Sequence, residues 1–348
     1  MGKRVLIALI VYAASAAVMA PFDSLALAQG RQEATKPPVW KQPMTPWGEP
    51  DLRGTWPLNH LINTPFQRPE KFGERRLMTD EEFAAAQKSA NDRNTRFQSG
   101  AIPQADTGEA SRLTSLIVDP PNGRFPELTP KGKALYEQMH GSYKPGQTVF
   151  DSPEDFDTWD RCITRGLPVS MLPRNYNNGI RIMQFPGYVV ILLEMAHEAR
   201  IIPTVRQAQG RPEQTRGAAT PRPALDGSIR QYLGESRGRW DGNTLVVETT
   251  NFNGKPAMTN LGVPGSPPLT PASADMRFTE RFTRTATDTI EYQMTVEDPE
   301  ILTTGKWSAA FPLKLDNDYK MYEYACHEGN TAIRNYIETS RFERAKKP

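Results

Sequence analysis

Glu194 and the two histidine–glutamate dipeptides, His197-Glu198 and His327-Glu328, are the residues of this chain best suited to acid–base chemistry. Glu194 closes an apolar run from Tyr188 to Leu193, so burial would oblige it to find a partner, for which Arg181 and Arg200 are placed. A buried, charge-coupled carboxylate serves as a general acid or base, and it also serves as a structural ion pair inside a sheet. If the segment from Tyr188 stays extended, Glu194, Glu198 and Arg200 share one face, while His197 lies on the other with Val189, Ile191, Leu193 and Met195. That alternation lets each dipeptide send only one side chain inward. No His-Glu-x-x-His helix and no third histidine at ligand spacing is present, so neither a metal nor another cofactor is expected.

The other candidates are binding residues. Arg161, Arg165, Arg174 and Arg181 are interleaved with Asn175, Tyr176, Asn177 and Asn178, and arginine forks with side-chain amides suit either an anion or sugar hydroxyls. A solvated loop has the same composition. Arg200, Tyr322, Tyr324 and Asn330 complete the candidate ligand contacts, with Asn330-Thr331 also reading as the cap of a last helix. If that helix begins at a cavity, its free amides and His327 form a polar end suited to an anion. The chain has no Gly-x-Ser-x-Gly elbow, phosphate-cradling glycine loop or dinucleotide fingerprint, which argues against serine hydrolases and nucleotide-dependent enzymes.

The first 28 residues read as an export signal. Lys3 and Arg4 supply a positive start, Val5 to Ala20 is an uncharged apolar run, and Ala26-Leu27-Ala28 is a small-x-small cleavage pattern. The expected location is therefore periplasmic or secreted. In that setting Cys162 and Cys326, the only two cysteines, form a disulfide that contributes on the order of 4–5 kcal/mol in the loop-entropy model. The alternative, a Cys326 thiolate activated by His327, requires the strand to end before them, because strand neighbours point to opposite faces.

Charge excludes several partners. Forty-two basic residues stand against 40 acidic ones, which leaves no electrostatic footprint for nucleic acid. No segment after the signal is long and apolar enough to span a bilayer as a helix. The partner expected is a small-molecule ligand or substrate; oligomeric state is not encoded in any motif.

The positioning elements follow from periodicity. Residues 29–50 are a Pro-rich extended leader, and 51–348 read as one domain. Gly54-Thr55-Trp56 is a first strand entry. Thr79 and Glu82 form a capping box for a helix to about Ala90, with 91–112 as loop, and Thr129-Pro130 starts a helix to about Met139. From residue 179 the period becomes two: Ile180–Phe185, Tyr188–Met195, Arg200–Pro203, Arg239-Trp240, Asn243–Thr250, Met276–Thr285, Thr289–Val296, Trp307–Leu315 and Tyr319–Cys326 read as strands, mostly joined by tight turns such as Asp241-Gly242. Residues 206–228 read as a flexible insertion and Thr331 to about Arg344 as a final helix. The fold expected is mainly β: an antiparallel curved sheet or closed barrel, paired sequentially, with an irregular N-terminal segment and a few short helices.

The stretch from Gly234 to Phe252 (GESRGRWDGNTLVVETTNF) and the stretch from Tyr322 to Asn330 (YEYACHEGN) resemble a large family of exported bacterial proteins. The resemblance covers most of the chain after the signal and carries no catalytic residue over. Gly54-Thr55-Trp56 at a first strand is also similar to lipocalin-type barrels. Two functions fit these readings. One is an exported protein holding a small apolar or aromatic molecule in a β-sheet cavity. The other is a periplasmic hydrolase, lyase or isomerase acting on a carbohydrate or phenolic compound, with Glu194 or Glu198 as base and His327 as acid.

Overall fold

Alternation of apolar and polar residues builds one ten-stranded sheet. The structure, a computed structural model, describes residues 40–101, 108–205, 226–259, 265–267 and 269–346. The segment read as an export signal (1–28), the part of the Pro-rich leader up to 39 and residues 206–225 of the insertion lie outside the described residues. The strands are β1 (Gly54–Thr55), β2 (Ile117–Asp119), β3 (Ile180–Phe185), β4 (Tyr188–Leu193), β5 (Ala199–Val205), β6 (Glu235–Asp241), β7 (Thr244–Thr250), β8 (Arg277–Ala286), β9 (Thr289–Glu297) and β10 (Lys306–Lys314). Their order across the sheet is β1-β3-β4-β5-β6-β7-β8-β9-β10-β2, with β1 and β2 as the two edges, so the sheet is a curled half-barrel rather than a closed one.

Every pairing between these strands is antiparallel except one. β5 and β6 run parallel, with Thr204 opposite Gly238, the one departure from antiparallel pairing in a sheet that is mainly antiparallel, as expected. A parallel step needs a long crossover, and the connection between these two strands is the longest between neighbouring strands from β3 onward. The pattern fails at one further place. Tyr319–Cys326 is not a strand; its backbone donors turn to other partners, Tyr322 N to the carboxylate of Glu194 (2.8 Å) and Cys326 N to Tyr324 O (2.8 Å).

The described residues form three α-helices, α1 (Asp80–Gln98), α2 (Pro130–Gln138) and α3 (Ala332–Ala345). The capping box predicted at Thr79 and Glu82 is present. α1 continues through the segment read as loop because its surface is polar almost all round, Ala90 being its only buried residue, so no apolar stripe marked its second half. Asn94 instead docks it, exchanging hydrogen bonds with both backbone groups of Gly108 (3.1 and 3.4 Å).

The concave face of the sheet is filled. Phe282, Tyr292 and Phe311 pack with ring centroids 4.8 and 5.2 Å apart, and Trp307 meets Phe66 of the N-terminal segment edge-on at 5.3 Å. Each such ring buried contributes roughly 1.5–3 kcal/mol. At the β1 edge Gly54 has φ +147°, a conformation that favours glycine, and a Cβ there would stand 2.4 Å from Leu315 Cδ1; beyond it the buried Trp56 donates its Nε1–H to Leu52 O (3.0 Å). A fully buried ion pair crosses the sheet: Arg200 grips both oxygens of Glu280, which also accepts the Tyr292 hydroxyl at 2.9 Å. Burial opposes the Arg200 charge, and the adjoining Glu280 carboxylate outweighs it, so the net shift of its pKa is upward.

Cys162 and Cys326 are joined as a disulfide across a sequence separation of 164. It ties the loop before β3 to the chain after β10 and removes the thiolate that a Cys326-His327 nucleophile would need. Among the described residues no helix is long and apolar enough to cross a membrane.

Candidate functional site

The site forms where the β3–β4 end of the sheet meets α1, the 174–178 loop and the chain from 319 to 324. Its centre is Glu194. The strand ends at Leu193, and a tight turn over Met195–His197, with Ala196 at φ +62°, sends β5 back antiparallel to β4. The extended run that would have put Glu194, Glu198 and Arg200 on one face is therefore absent. Glu194 does not pair with Arg181 or Arg200. It accepts four neutral donors: Gly179 N (2.8 Å) and Tyr319 OH (2.7 Å) on Oε2, and Tyr322 N (2.8 Å) and Asn177 Nδ2 (3.2 Å) on Oε1. Gly179 permits this approach, because a Cβ there would lie 2.8 Å from Oε2 and 2.9 Å from both Met321 and Tyr319. With both oxygens doubly occupied, Glu194 is a positioning residue that fixes Tyr319 and Tyr322.

Behind this junction lies a buried cationic cluster. Arg165 and Arg174 are 5% and 3% exposed. Arg165 lies over the Trp159 ring at 3.7 Å, Trp159 stacks on Tyr324 at 5.4 Å, and Tyr324 stacks on Tyr176 at 6.1 Å. The loop is stapled by Asn178, whose Oδ1 accepts Arg174 N (2.7 Å) while its Nδ2 donates to Arg174 O. Arg174 Nη2 donates to Val169 O, whereas Nη1 is buried without a partner and the guanidinium makes no ion pair with any described residue. Burial lowers the pKa of both arginines; for Arg174 the shift is large, and the neighbouring Arg165 charge adds to it. Glu198 accepts a hydrogen bond from Ser170 Oγ at 3.1 Å, and burial raises its pKa against the help of Ser170 and Thr164. Asp157 is raised to about 6 by burial, and then by the Asp160 carboxylate.

In front of the junction is an open cleft of about 570 Å³. Its aromatic walls are Tyr176, Tyr319, Tyr322 and Phe97, and its polar walls are the amides Asn59, Asn94, Asn175, Asn177 and Gln98, together with Glu194. On the other side of the 321–323 chain a second depression of about 400 Å³ takes Arg181, Glu194 and Tyr322 into its lining.

The structure thus gathers Glu194, Asn177 and Tyr322 at the cleft and Arg165, Glu198 and Tyr324 behind it. Arg200 goes instead to Glu280, and Arg181 sits on the outer face of β3 with Nε 3.3 Å from Thr55 Oγ1. Arg161 is half-buried beside the disulfide. His197 lies in the turn after β4; its side chain is outside those described. His327 and Glu328 are exposed on a turn after the disulfide, and among the described residues no hydrogen bond or ion pair joins either to Glu194, Glu198 or an arginine, which separates them from the acid–base arrangement expected of them. Asn330 stands just before Thr331, the N-cap of α3, where it accepts from Ala332 N (3.1 Å) and donates to Cys162 Sγ (3.3 Å); that helix start is exposed. Among the described residues no three His, Cys, Asp or Glu side chains come together as metal ligands. Sequence reading passed over Asp157, Trp159, Thr164, Ser170 and Tyr319. An aromatic between two aspartates just ahead of Cys162 was the available signal.

Compared with family models, curated proteins and solved structures, the chain finds no match.

Proposed function

We propose that this is an exported small-molecule-binding protein whose ligand, a small hydroxylated ring compound, lies in the cleft between α1, Tyr176 and Tyr322. One observation carries the reading: the cleft combines four aromatic side chains with five side-chain amides, in a volume within the range of small-molecule sites. Aromatic faces hold an apolar ring body, and amides both donate to and accept from hydroxyls. The ligand sits off the end of the sheet, because the concave face is occupied by Phe282, Tyr292 and Phe311. Export is supported by the disulfide and by the signal pattern at 1–28.

The test is isothermal titration of the purified chain with a panel of phenols and of mono- and oligosaccharides. Binding in the micromolar range that weakens at least tenfold in Tyr322→Ala and Asn94→Ala supports the cleft. Binding that both variants leave unchanged places the ligand elsewhere.

A second reading is a periplasmic enzyme acting on the same ring class. What favours it is Glu198: a carboxyl whose pKa is raised by burial, four positions after the cleft-lining Glu194 and within the field of Arg174, has the character of a general acid. Slow conversion of a bound ligand that stops in Glu198→Gln, with binding kept, would select the enzyme.

A further inference from the structure

Glu194 is a buried carboxylate that meets no cation among the described residues. It is 2% exposed, and each of its contacts is a neutral donor, two backbone N–H groups, the Tyr319 hydroxyl and the Asn177 amide. Neutral donors stabilise a carboxylate without removing its charge, and a buried charge ordinarily has a counter-charge close by. Glu194 is also the one charged group in the wall of the 570 Å³ cleft, which takes no arginine, lysine or histidine among the described residues into its lining. Arg165 and Arg174 belong to the cluster behind the cleft, where Asp157 acts on the first and Glu198 on the second.

Aromatic side chains surround that charge. Phe97, Tyr176 and Tyr322 are exposed and Tyr319 is half-buried, and all four line the same opening. The face of an aromatic ring carries partial negative charge and attracts a cation that comes within about 6 Å of its centroid. Asn175, another wall residue, holds its Oδ1 buried without a hydrogen-bond partner. An unmet acceptor calls for a donor, which a ligand N–H supplies.

The same features favour an organic cation over a metal ion. Rings attract a diffuse charge but give a metal no lone pair, and the acceptor positions of Glu194 are already taken. Among the described residues no three His, Cys, Asp or Glu side chains come together as ligands. An ammonium group needs no direct contact with Glu194, because opposite charges a few ångströms apart attract strongly where water is partly excluded.

We propose that the cleft recognises an ammonium group, and that the ligand is a ring compound carrying a protonated amine. The charge lies among the rings of Tyr176, Tyr319 and Tyr322 in the field of Glu194, and one N–H donates to Asn175 Oδ1. This inference rests on the reading of the cleft as a ring-binding site and adds to it the charge of the ligand.

The experiment is titration calorimetry on the unmodified full chain at about pH 6.5, with compounds of like shape and different charge. Tyramine is compared with 4-(2-hydroxyethyl)phenol and 4-hydroxyphenylacetate, and glucosamine with glucose. The expected result is that in at least one set the amine binds tenfold or more tighter than the neutral compound, while the acid binds no tighter than its neutral counterpart. Tyr322→Phe should retain the preference for the amine. Tyr322→Leu, which keeps apolar bulk without an aromatic face, should reduce it severalfold, and so should Glu194→Gln. The ratio of the two affinities is the readout, because a loosened junction weakens amine and neutral compound alike. No such preference in either set, or a tighter-binding acid, overturns the ammonium site and leaves the cleft reading standing. A preference that Tyr322→Leu and Glu194→Gln both leave intact overturns it as well. Absence of binding by all five compounds overturns both readings. The comparison on the unmodified chain and the two Tyr322 variants decide the matter even where Glu194→Gln does not fold.

Discussion

Tyr176 lies parallel to Tyr324, with ring centroids 6.1 Å apart and planes 16° from coplanar, and the same Tyr176 forms a wall of the open cleft. One side chain therefore separates the solvent-facing half of the site from the buried arginines. Tyr324 is two residues from Cys326, so the disulfide holds one member of this stack in place. Breaking the covalent link should loosen the site as well as the fold.

Cys326→Ser removes a cross-link across a sequence separation of 164, worth on the order of 4–5 kcal/mol in the loop-entropy model. For a domain of this size that is roughly a 10 °C fall in Tm. Calorimetry of the two proteins without reductant should show the difference, and reductant should erase it. Equal melting without reductant would show that the bond adds no stability.

Glu194→Gln places an amide NH2 against donors that already converge on both carboxylate oxygens. Leaving two buried donors unmet costs about 2–4 kcal/mol. Urea denaturation should register it as a lower midpoint with an unchanged slope. A variant as stable as the parent would mean that these four hydrogen bonds are not formed together in solution.

Gly179→Ala tests the same junction from the other side. The added Cβ would sit 2.8 Å from Glu194 Oε2 and 2.9 Å from Tyr319 Cε1, so the loop or the 319–322 chain must shift, at a cost of about 1–3 kcal/mol. Loss of ligand affinity should accompany the loss of stability, because Tyr319 and Tyr322 line the cleft. Unchanged stability and affinity together would refute the close approach.

Asp157 sets a pH dependence. Burial, and then Asp160, raise its carboxyl from the ordinary 3.8 to about 6, so between those values the folded state binds the proton that the unfolded state has released. Stability is then highest below about pH 4 as far as this group is concerned, and it falls as pH rises to about 6, by at most about 3 kcal/mol. Asp157→Asn keeps the Oδ1 that accepts Asp160 N and should flatten that slope. Denaturation midpoints of parent and variant at pH 4.5 and 7.5 measure it; parallel slopes would refute the shift.

Arg200→Met alone strands the Glu280 carboxylate at 0% exposure and should cost about 3–5 kcal/mol. The double variant Arg200→Met with Glu280→Leu should recover most of that, as measured by the same denaturation. Absence of recovery would assign the loss to packing rather than to a stranded charge.

Much of the sheet was legible in the chain, because a period-two pattern is local information. Val189, Ile191 and Leu193 alternate with half-exposed neighbours along β4, and Asp241-Gly242 turns β6 into β7, as the sequence implies. The pairing of Cys162 with Cys326 followed from there being only two cysteines. α1 past Ala90 was not legible, because a helix polar on nearly every side leaves no period to read.

The sequence by itself determined most of the strands from β3 to β10, the tight turns between them and the cysteine partners, each decided by residues within a few positions or by elimination. The tertiary structure decided the parallel step between β5 and β6, the loss of the 319–326 strand and the partners of Glu194. Tyr319 and Tyr322 reach Glu194 across sequence separations of 125 and 128. Which donors a buried carboxylate takes depends on which backbones the packed sheet brings within 3 Å of it. No spacing rule along the chain encodes that approach; the collapse of the sheet, with a glycine at 179 to leave room, does.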